Sequence, residues 1–415
     1  MLFKDEQIEF DESTITQAFF NDELINDKYL RGEVRIVTEQ ARYPLDTINI
    51  MIDSGKYELN PDFQRRRRWN NAKKSKLIES FIMNVPIPPI FLYENEFSHY
   101  EVMDGLQRLT TIYDFYNNSF ELCELQFWPE LNCRNYKSLP ERIKQGIDRR
   151  YISSIILLQE SAKDSEEAQK MKQLVFERIN SGGVKLEGQE TRNALYNGPM
   201  NKLCIDLSRN KYLCAMFDIP NIDLNDQQTM DIIKQENLIE NELLENEIYK
   251  KMDDVEYVLR FFAMRQIDGY SNRSLNEFLD IYLRRANSFN PGLLKRLEEL
   301  FNDTIKLIYD LFGEAAFYMW RRRGTRDGVS WNWFARATTT IYDPLMYAVS
   351  NLLEHKSKFI AQKRDLQEGL KNLYEQNYSV FEGRSNNKSD IEKRREIFLK
   401  FFKRFIKGEK NESRT

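Results

Sequence analysis

The sequence predicts an α+β protein, with a mixed N-terminal domain over residues 1–222 followed by an all-α helical domain over residues 223–415. Three observations carry that prediction. Strand-like runs are confined to the first half: "IFLYE" and "HYEVM" flank a polar tip around Asn95 and Ser98 as a hairpin would, and "YISSIILLQE" reads as a further strand. Beyond about residue 222 such runs give way to amphipathic stretches such as "EYVLRFFAMRQ", "LNEFLDIYLRRA" and "LLKRLEELFNDTIKLIYDLF". Between the two lies the polar segment Asp218–Gln228, which contains Pro220. The strands are too few and too scattered for a doubly wound sheet.

The elements follow in order. "RYPLDTINIMIDSG" spaces Leu45, Ile48, Ile50 and Ile52 as a short helix stopped by Gly55. "KYELNPDFQRR" reads as extended, bent at Pro61. "NNAKKSKLIESFIMNV" has helical spacing through Leu77, Ile78, Phe81 and Ile82, and Pro86, Pro88 and Pro89 forbid its continuation. After the hairpin, Leu109, Ile112, Tyr113 and Tyr116 recur at helical spacing. The helix "SEEAQKMKQLVFERIN" then meets a glycine turn leading into another helix, "IEKRREIFLKFFKRFIKG" is a late amphipathic helix, and the final "GEKNESRT" should fray.

Composition narrows the function classes. The chain has 415 residues, 41% hydrophobic and 30% charged, as expected of a globular protein with room for two domains. Its net charge of -4 excludes a uniformly basic nucleic-acid surface, so any such contact must come from local patches. The two histidines, His99 and His355, are isolated and cannot build a ββα-metal nuclease centre. Cys123, Cys133, Cys204 and Cys214 form no C-x-x-C pair, which favours reduced thiols over a zinc site. Acidic residues interrupt the N-terminus where a secretory signal needs an apolar core, and no stretch approaches the length of a membrane span. The expectation is a cytoplasmic protein with no membrane partner.

The chemistry concentrates at "EVMDGLQRLTTI", where a strand ends in Asp104-Gly105 and a helix opens. Backbone N–H groups at such a point, added to the helix dipole, attract an anion. Gly105 would admit a phosphate close to the backbone, and Arg108, about one turn in, could fork onto two of its oxygens. Gln107 could position a water or a sugar hydroxyl. Asp104 could cap the helix, hold Arg108 or help to coordinate Mg²⁺. The plain alternative is a capped helix with a surface ion pair.

Two other stretches bear on that choice. "NPDFQRRRRWNNAKKSK" carries Arg65, Arg66, Arg67, Arg68, Lys73, Lys74 and Lys76 against Asp62, with Phe63 and Trp69 as apolar anchors at either side of the arginines. "RINSGG" supplies Asn180 and a glycine turn with room for close approach. Either could instead be a solvated face or a capping turn. No Walker A frame occurs in the chain.

"NPDFQRRRRW", "LIESFIMNVPIPPIFL", "EVMDGLQRLTTI" and "FERINSGGVKLEGQETRNALYNG" together resemble the domain-of-unknown-function 262 family, the N-terminal domain of GmrSD-type, modification-dependent restriction systems and related phage-defence proteins. The resemblance covers most of residues 40–200. It implies a ParB/sulfiredoxin-like fold for the N-terminal domain and a Mg²⁺-dependent nucleoside-triphosphate site. Asp104, Gln107 and Arg108 would carry the chemistry there, Gln64, Arg65, Gly105 and Asn180 would bind the nucleotide, and Asp104 would face the metal. In the family the corner usually reads Asp-Gly-Gln-Gln-Arg. Here Leu106 replaces the first glutamine, which touches hydrolysis more than binding. Relatives often add an HNH nuclease domain, whose histidines this chain lacks. The expectation is therefore a stand-alone form whose nuclease is a separate subunit or absent, able to form a homo-oligomer.

The helical half adds its own basic and aromatic patch, "MWRRRGTRDGVSWNWF". Its arginines could track a nucleic-acid backbone while an aromatic ring stacks on a base. The favoured reading is plainer: a solvated loop followed by a helix with core tryptophans.

The leading functional expectation is a nucleoside-triphosphate-binding and hydrolysing sensor or regulatory component of an anti-phage or restriction system, with DNA as a partner. A DNA-binding module with a structural corner is the second reading, contacting DNA through Arg66, Arg67, Arg68, Lys73, Arg321 and Arg322. A ParB-like metal-dependent nuclease is the third.

Overall fold

In the computed structural model, residues 2–10, 26, 36–59, 69–158, 165–180, 188–221, 242–270, 274–325, 328–382 and 387–407 are described. Contacts divide the chain into two compact units, one of residues 13–186 and one joining residues 1–12 to 187–415. The division at 186/187 differs from the 222/223 boundary expected from composition. The reason is that residues 188–217 form helices whose buried faces pack within the helical unit, so that unit takes in chain ahead of the polar stretch near Pro220.

The first unit is built on a five-stranded mixed sheet of order β1-β5-β3-β4-β2. The strands are β1 (Thr38–Pro44), β2 (Tyr57–Glu58), β3 (Ile90–Glu96), β4 (His99–Asp104) and β5 (Tyr151–Leu157). The expected hairpin is β3–β4, antiparallel, with Leu92 opposite Val102 and Tyr93 opposite Glu101. β3 runs parallel to β5, and β5 pairs antiparallel with β1, a polar edge strand that sequence reading did not identify.

Alternation decides which side chains face inward. Ile90 and Leu92 on β3, with Ile152 and Ile156 on β5, are buried, because side chains two apart on a strand share a face. Among the described residues the α-helices of this unit include α1 (Ile48–Asp53), α2 (Asn71–Met83), α3 (Leu106–Tyr116), α4 (Glu141–Asp148) and α5 (Ser165–Asn180). The first four send residues into one core with the sheet, including Ile48, Ile78, Phe81 and Ile147. From α3 come Leu106, Leu109, Ile112 and Phe115, at the three-residue spacing of one helical face. Burying each such side chain contributes about 1.5–3 kcal/mol. Asn70 caps α2 by accepting from the Lys73 N–H at 3.0 Å, and the helix stops at Asn84, whose φ of 59° is left-handed.

The second unit contains α6 (Gly188–Leu195), α7 (Pro199–Leu207), α8 (Lys211–Phe217), α9 (Glu247–Lys250), α10 (Asp253–Met264), α11 (Leu275–Ala286) and α12 (Pro291–Phe312). After them come strands β6 (Met319–Thr325) and β7 (Gly328–Phe334), then α13 (Thr339–Ser350), α14 (Lys356–Ala361), α15 (Lys363–Gln376), α16 (Tyr378–Glu382) and α17 (Lys388–Lys407). Long helices such as α12 bury Leu297, Phe301, Ile305, Ile308 and Leu311 on one face. Here the structure corrects the loop-then-helix reading of residues 319–334. The segment is an antiparallel β-ribbon in which Trp320 opposes Trp333 and Arg321 opposes Asn332. Alternating aromatic and polar residues on both strands were a period-two signal, with Asp327-Gly328 as its turn marker.

The chain's N-terminal segment belongs to this helical unit. Glu6 is fully buried, and its carboxylate accepts from Arg265 at 2.6 and 2.8 Å, while Gln266 donates to the Glu6 carbonyl and accepts from the Ile8 N–H. Phe10 stacks on Phe278 at 5.4 Å. Among the described residues no helix is long and apolar enough to cross a membrane.

Candidate functional site

The strand-to-helix corner forms as the sequence suggests, and each of its residues has a definite place. β4 ends at Asp104 and α3 starts at Leu106, with Gly105 as the N-cap at φ 98°. Only glycine adopts that conformation without strain, and space also demands it. A Cβ on Gly105 would lie 2.4 Å from Ile90 Cγ2 and 2.9 Å from Ile90 Cβ. The pairing register shifts between Phe91 and Leu92, so that Asp104 opposes Phe91 while Val102 opposes Leu92. Met103 is the extra residue of that bulge, and the local kink turns the end of β4 toward the helix start.

Arg108 is engaged by three protein oxygens. Its Nη2 donates to Asp104 Oδ2 at 2.7 Å, and its Nη1 donates to the Pro88 and Pro89 carbonyls, the latter at 3.1 Å. The arginine side chain is 12% exposed and that of Asp104 40%. Arg108 therefore ties the proline segment before β3 to the corner, and Asp104 orients it. The Pro-x-Pro-Pro stretch lacks most of its own N–H donors, so an arginine reaching its carbonyls is an apt fastener.

Gln107 makes the connection with the arginine run. Its Oε1 accepts from the backbone N–H of Trp69 at 3.1 Å. Trp69 packs partly buried against the sheet-unit core and directly follows Arg68 in the chain. Two motifs 38 residues apart thus meet at the first turn of α3. Leu106 is 8% exposed and faces the core, so the position that holds glutamine in the resembling family is here a core residue.

The other expected site residues fall as follows. Gln64, Arg65, Arg66, Arg67 and Arg68 lie outside the described residues. Asn180 ends α5, and its side chain is outside them too. Lys73 is exposed in the first turn of α2, whereas Lys74 pairs with Asp114 at 2.7 Å. Arg321 and Arg322 sit on β6 in the other unit. Among the described residues no three histidine, cysteine or carboxylate side chains converge on a metal position. Asp104 brings one carboxylate, tied to Arg108. Mg²⁺ is often held by one or two carboxylates together with substrate phosphates, so this donor set fits a cation delivered with a triphosphate rather than a resident metal.

A cleft of about 480 Å³ lies elsewhere on this unit, lined by Tyr57, Glu58, Asn95, Glu96 and His99 among others. It sits at the hairpin-tip end of β4, about 17 Å along the strand from Asp104. Its two glutamates make it a poor phosphate site.

Sequence reading did not single out one cluster. Within "GQETRNALYNG", Arg192 is 1% exposed and donates to Asp280 at 2.7 Å, Glu256 at 2.9 Å, Asn276 at 2.8 Å and Gln189 at 3.1 Å. That end of the motif is a buried polar clasp among α6, α10 and α11. A short polar helix carrying an arginine three residues after a glutamine was the available signal.

The fold and corner define a class, an α+β domain with a glycine-hinged strand-to-helix corner joined to a helical unit. The family model described as GmrSD restriction endonuclease, N-terminal domain, matches residues 48–197. Over those residues the chain carries a domain of that family, which marks it as a restriction or phage-defence component. The match runs from α1 through the corner to just past α6 and spans a little over a third of the chain. No curated protein and no solved structure matched the chain.

Proposed function

We propose that the sheet unit binds a nucleoside triphosphate at the Asp104–Arg108 corner and hydrolyses it, as the sensing or regulatory part of a DNA-directed restriction system. The observation that carries the reading is the Trp69 N–H···Gln107 bond, which fastens the residue that follows the Arg65–Arg68 run in sequence to the first turn of α3. A helix N-terminus with a glycine at its cap is a suitable setting for a polyphosphate, and the arginines that precede Trp69 in sequence would supply the charge. In this reading Arg108 acts as a positioning residue that fixes the corner, and the phosphate charge falls to the preceding arginines and the backbone N–H groups. Mg²⁺ accompanying the nucleotide would neutralise phosphate charge. Asp104 would face that cation, and Gln107 would orient water near the terminal phosphate.

Titration of each nucleoside triphosphate in the presence of Mg²⁺, paired with phosphate release with and without DNA, tests this. Binding of at least one nucleotide, lost in Arg65→Ala, is expected. Absence of binding to all four overturns it.

One observation favours a second reading, a DNA-binding module with a purely structural corner. Arg108, Gly105 and Leu106 each have a packing or hydrogen-bonding role that requires no ligand. DNA affinity with steep salt dependence and no nucleotide binding would select it.

A further inference from the structure

The β6–β7 ribbon has two unlike faces. On one, Trp320 donates its Nε1–H to Glu375 at 2.8 Å and stacks edge-on with Trp333, while Trp333 meets Tyr374 and Trp331 meets Tyr378. These partners lie on α15 and α16, so the aromatic face seats the ribbon on its own unit. The opposite face carries Arg321 and, directly across from it, Asn332. The Arg321 guanidinium lies 4.4 Å over the Phe334 ring, Asn332 is exposed, and its amide donates to Ser330 Oγ at 3.3 Å. Stacking on an aromatic ring orients a guanidinium and leaves its N–H edge open to a planar acceptor.

Charge points to the occupant. Residues 319–336 hold five arginines against Asp327, a net of +4 in a chain whose total is -4. A polyanion complements that patch. Its geometry is specific to duplex DNA: the major groove of B-DNA admits a two-stranded ribbon, and its purines make bidentate pairs, guanine accepting two bonds from arginine and adenine accepting one from and donating one to asparagine. The deep, narrow major groove of duplex RNA does not admit such an element.

We propose that the outer face of the β6–β7 ribbon enters the major groove of duplex DNA, where Arg321 and Asn332 contact base edges. The inference deepens the DNA-directed part of the proposed function and is independent of the nucleotide site. Seated by its tryptophans, the ribbon presents its readers on a fixed backbone, which suits base discrimination better than a mobile loop.

The full chain is tested against a pool of random-sequence duplex DNA, with bound molecules sequenced and affinity followed across salt concentrations. Wild type enriches a sequence pattern. Arg321→Lys keeps the charge but loses the fork, so affinity for the unselected pool persists while enrichment at one base pair disappears. Asn332→Ala loses about tenfold discrimination at a neighbouring pair. Circular dichroism of each variant separates these effects from unfolding, and Arg321→Lys and Asn332→Ala are mild enough to keep the ribbon. Duplex binding and enrichment unchanged in both variants overturn the ribbon alone. No duplex binding by wild type removes the ribbon and the DNA partner together, without touching nucleotide binding. Equal affinity for duplex RNA also overturns it.

Discussion

Trp69 and Gln107, 38 residues apart, are joined by a single hydrogen bond from the tryptophan backbone to the glutamine side chain at 3.1 Å. Through it the chain that leaves the arginine run is fastened to the turn where β4 becomes α3. The corner is thus one end of a larger assembly. Arg108 holds the proline segment on one side, and Gln107 holds Trp69 on the other.

Replacing Arg108 with alanine strands the Pro88 and Pro89 carbonyls and frees Asp104. Hydrogen bonds from a charged donor are worth about 1.5–3 kcal/mol, so Arg108→Ala is expected to cost about 2 kcal/mol in a urea melt. Arg108→Lys, which reaches with one point charge, recovers part of that loss. A melt unchanged in Arg108→Ala would mean the arginine is not a fastener.

Gly105→Ala combines a left-handed backbone with a Cβ 2.4 Å from Ile90 Cγ2, and is expected to destabilise by about 2–3 kcal/mol. Gly146→Ala is the control: within α4, nothing lies within 4 Å of its added Cβ. There the helix gains about 0.5–1 kcal/mol. Equal effects at the two glycines would contradict the packing at the corner.

The corner's existence was legible because its residue types demand a turn: Asp-Gly after a strand pattern and helical spacing after it. What each residue does was less legible. Gly105 reads as room for a phosphate, yet Ile90 fills that side, and Ile90 is close only because β3 pairs with β4. Arg108 reads as a fork for a ligand, while its acceptors are carbonyls 19 and 20 residues upstream, a relation no local pattern exposes. β1 was missed because "TEQARYP" is a polar edge strand, paired on one side only. The β6–β7 ribbon departs from the loop-then-helix expectation because its signal lies in the alternation of aromatic and polar residues, not in their composition.

Tyr116 and Tyr136 both donate to Asp148 at 2.9 Å, and their rings lie 4.5 Å apart. Burial, then the Asp148 carboxylate, pushes the Tyr136 phenol up to about 12 and raises Tyr116 as well. A phenol whose folded value lies above its unfolded value of about 10 contributes stability that is fully present below pH 10. That contribution is lost as pH rises through about 12. The sheet unit should weaken over this window. In Asp148→Asn, ultraviolet titration should show tyrosines ionising at lower pH than in wild type, and an unchanged titration would contradict the cluster.

Glu6 is the reason the N-terminal segment counts as part of the helical unit. Glu6→Ala leaves the Arg265 guanidinium buried without its carboxylate, a change that costs about 3–5 kcal/mol. A thermal melt should show it. Asp5→Ala, whose partner Arg296 is 44% exposed, should leave the melt nearly unchanged. If Glu6→Ala proves as mild as Asp5→Ala, the segment is not a working part of that core.

Nucleotide binding by Gln107→Ala bears most directly on the corner as a triphosphate site. The substitution removes the acceptor of the Trp69 N–H and leaves the Arg108 contacts and the Gly105 packing in place. Calorimetric titration with Mg²⁺ and the nucleoside triphosphate that wild type binds should show affinity reduced at least about tenfold, about 1.4 kcal/mol, with the thermal midpoint little changed. Equal affinity in wild type and Gln107→Ala, or no nucleotide bound by either, would contradict it.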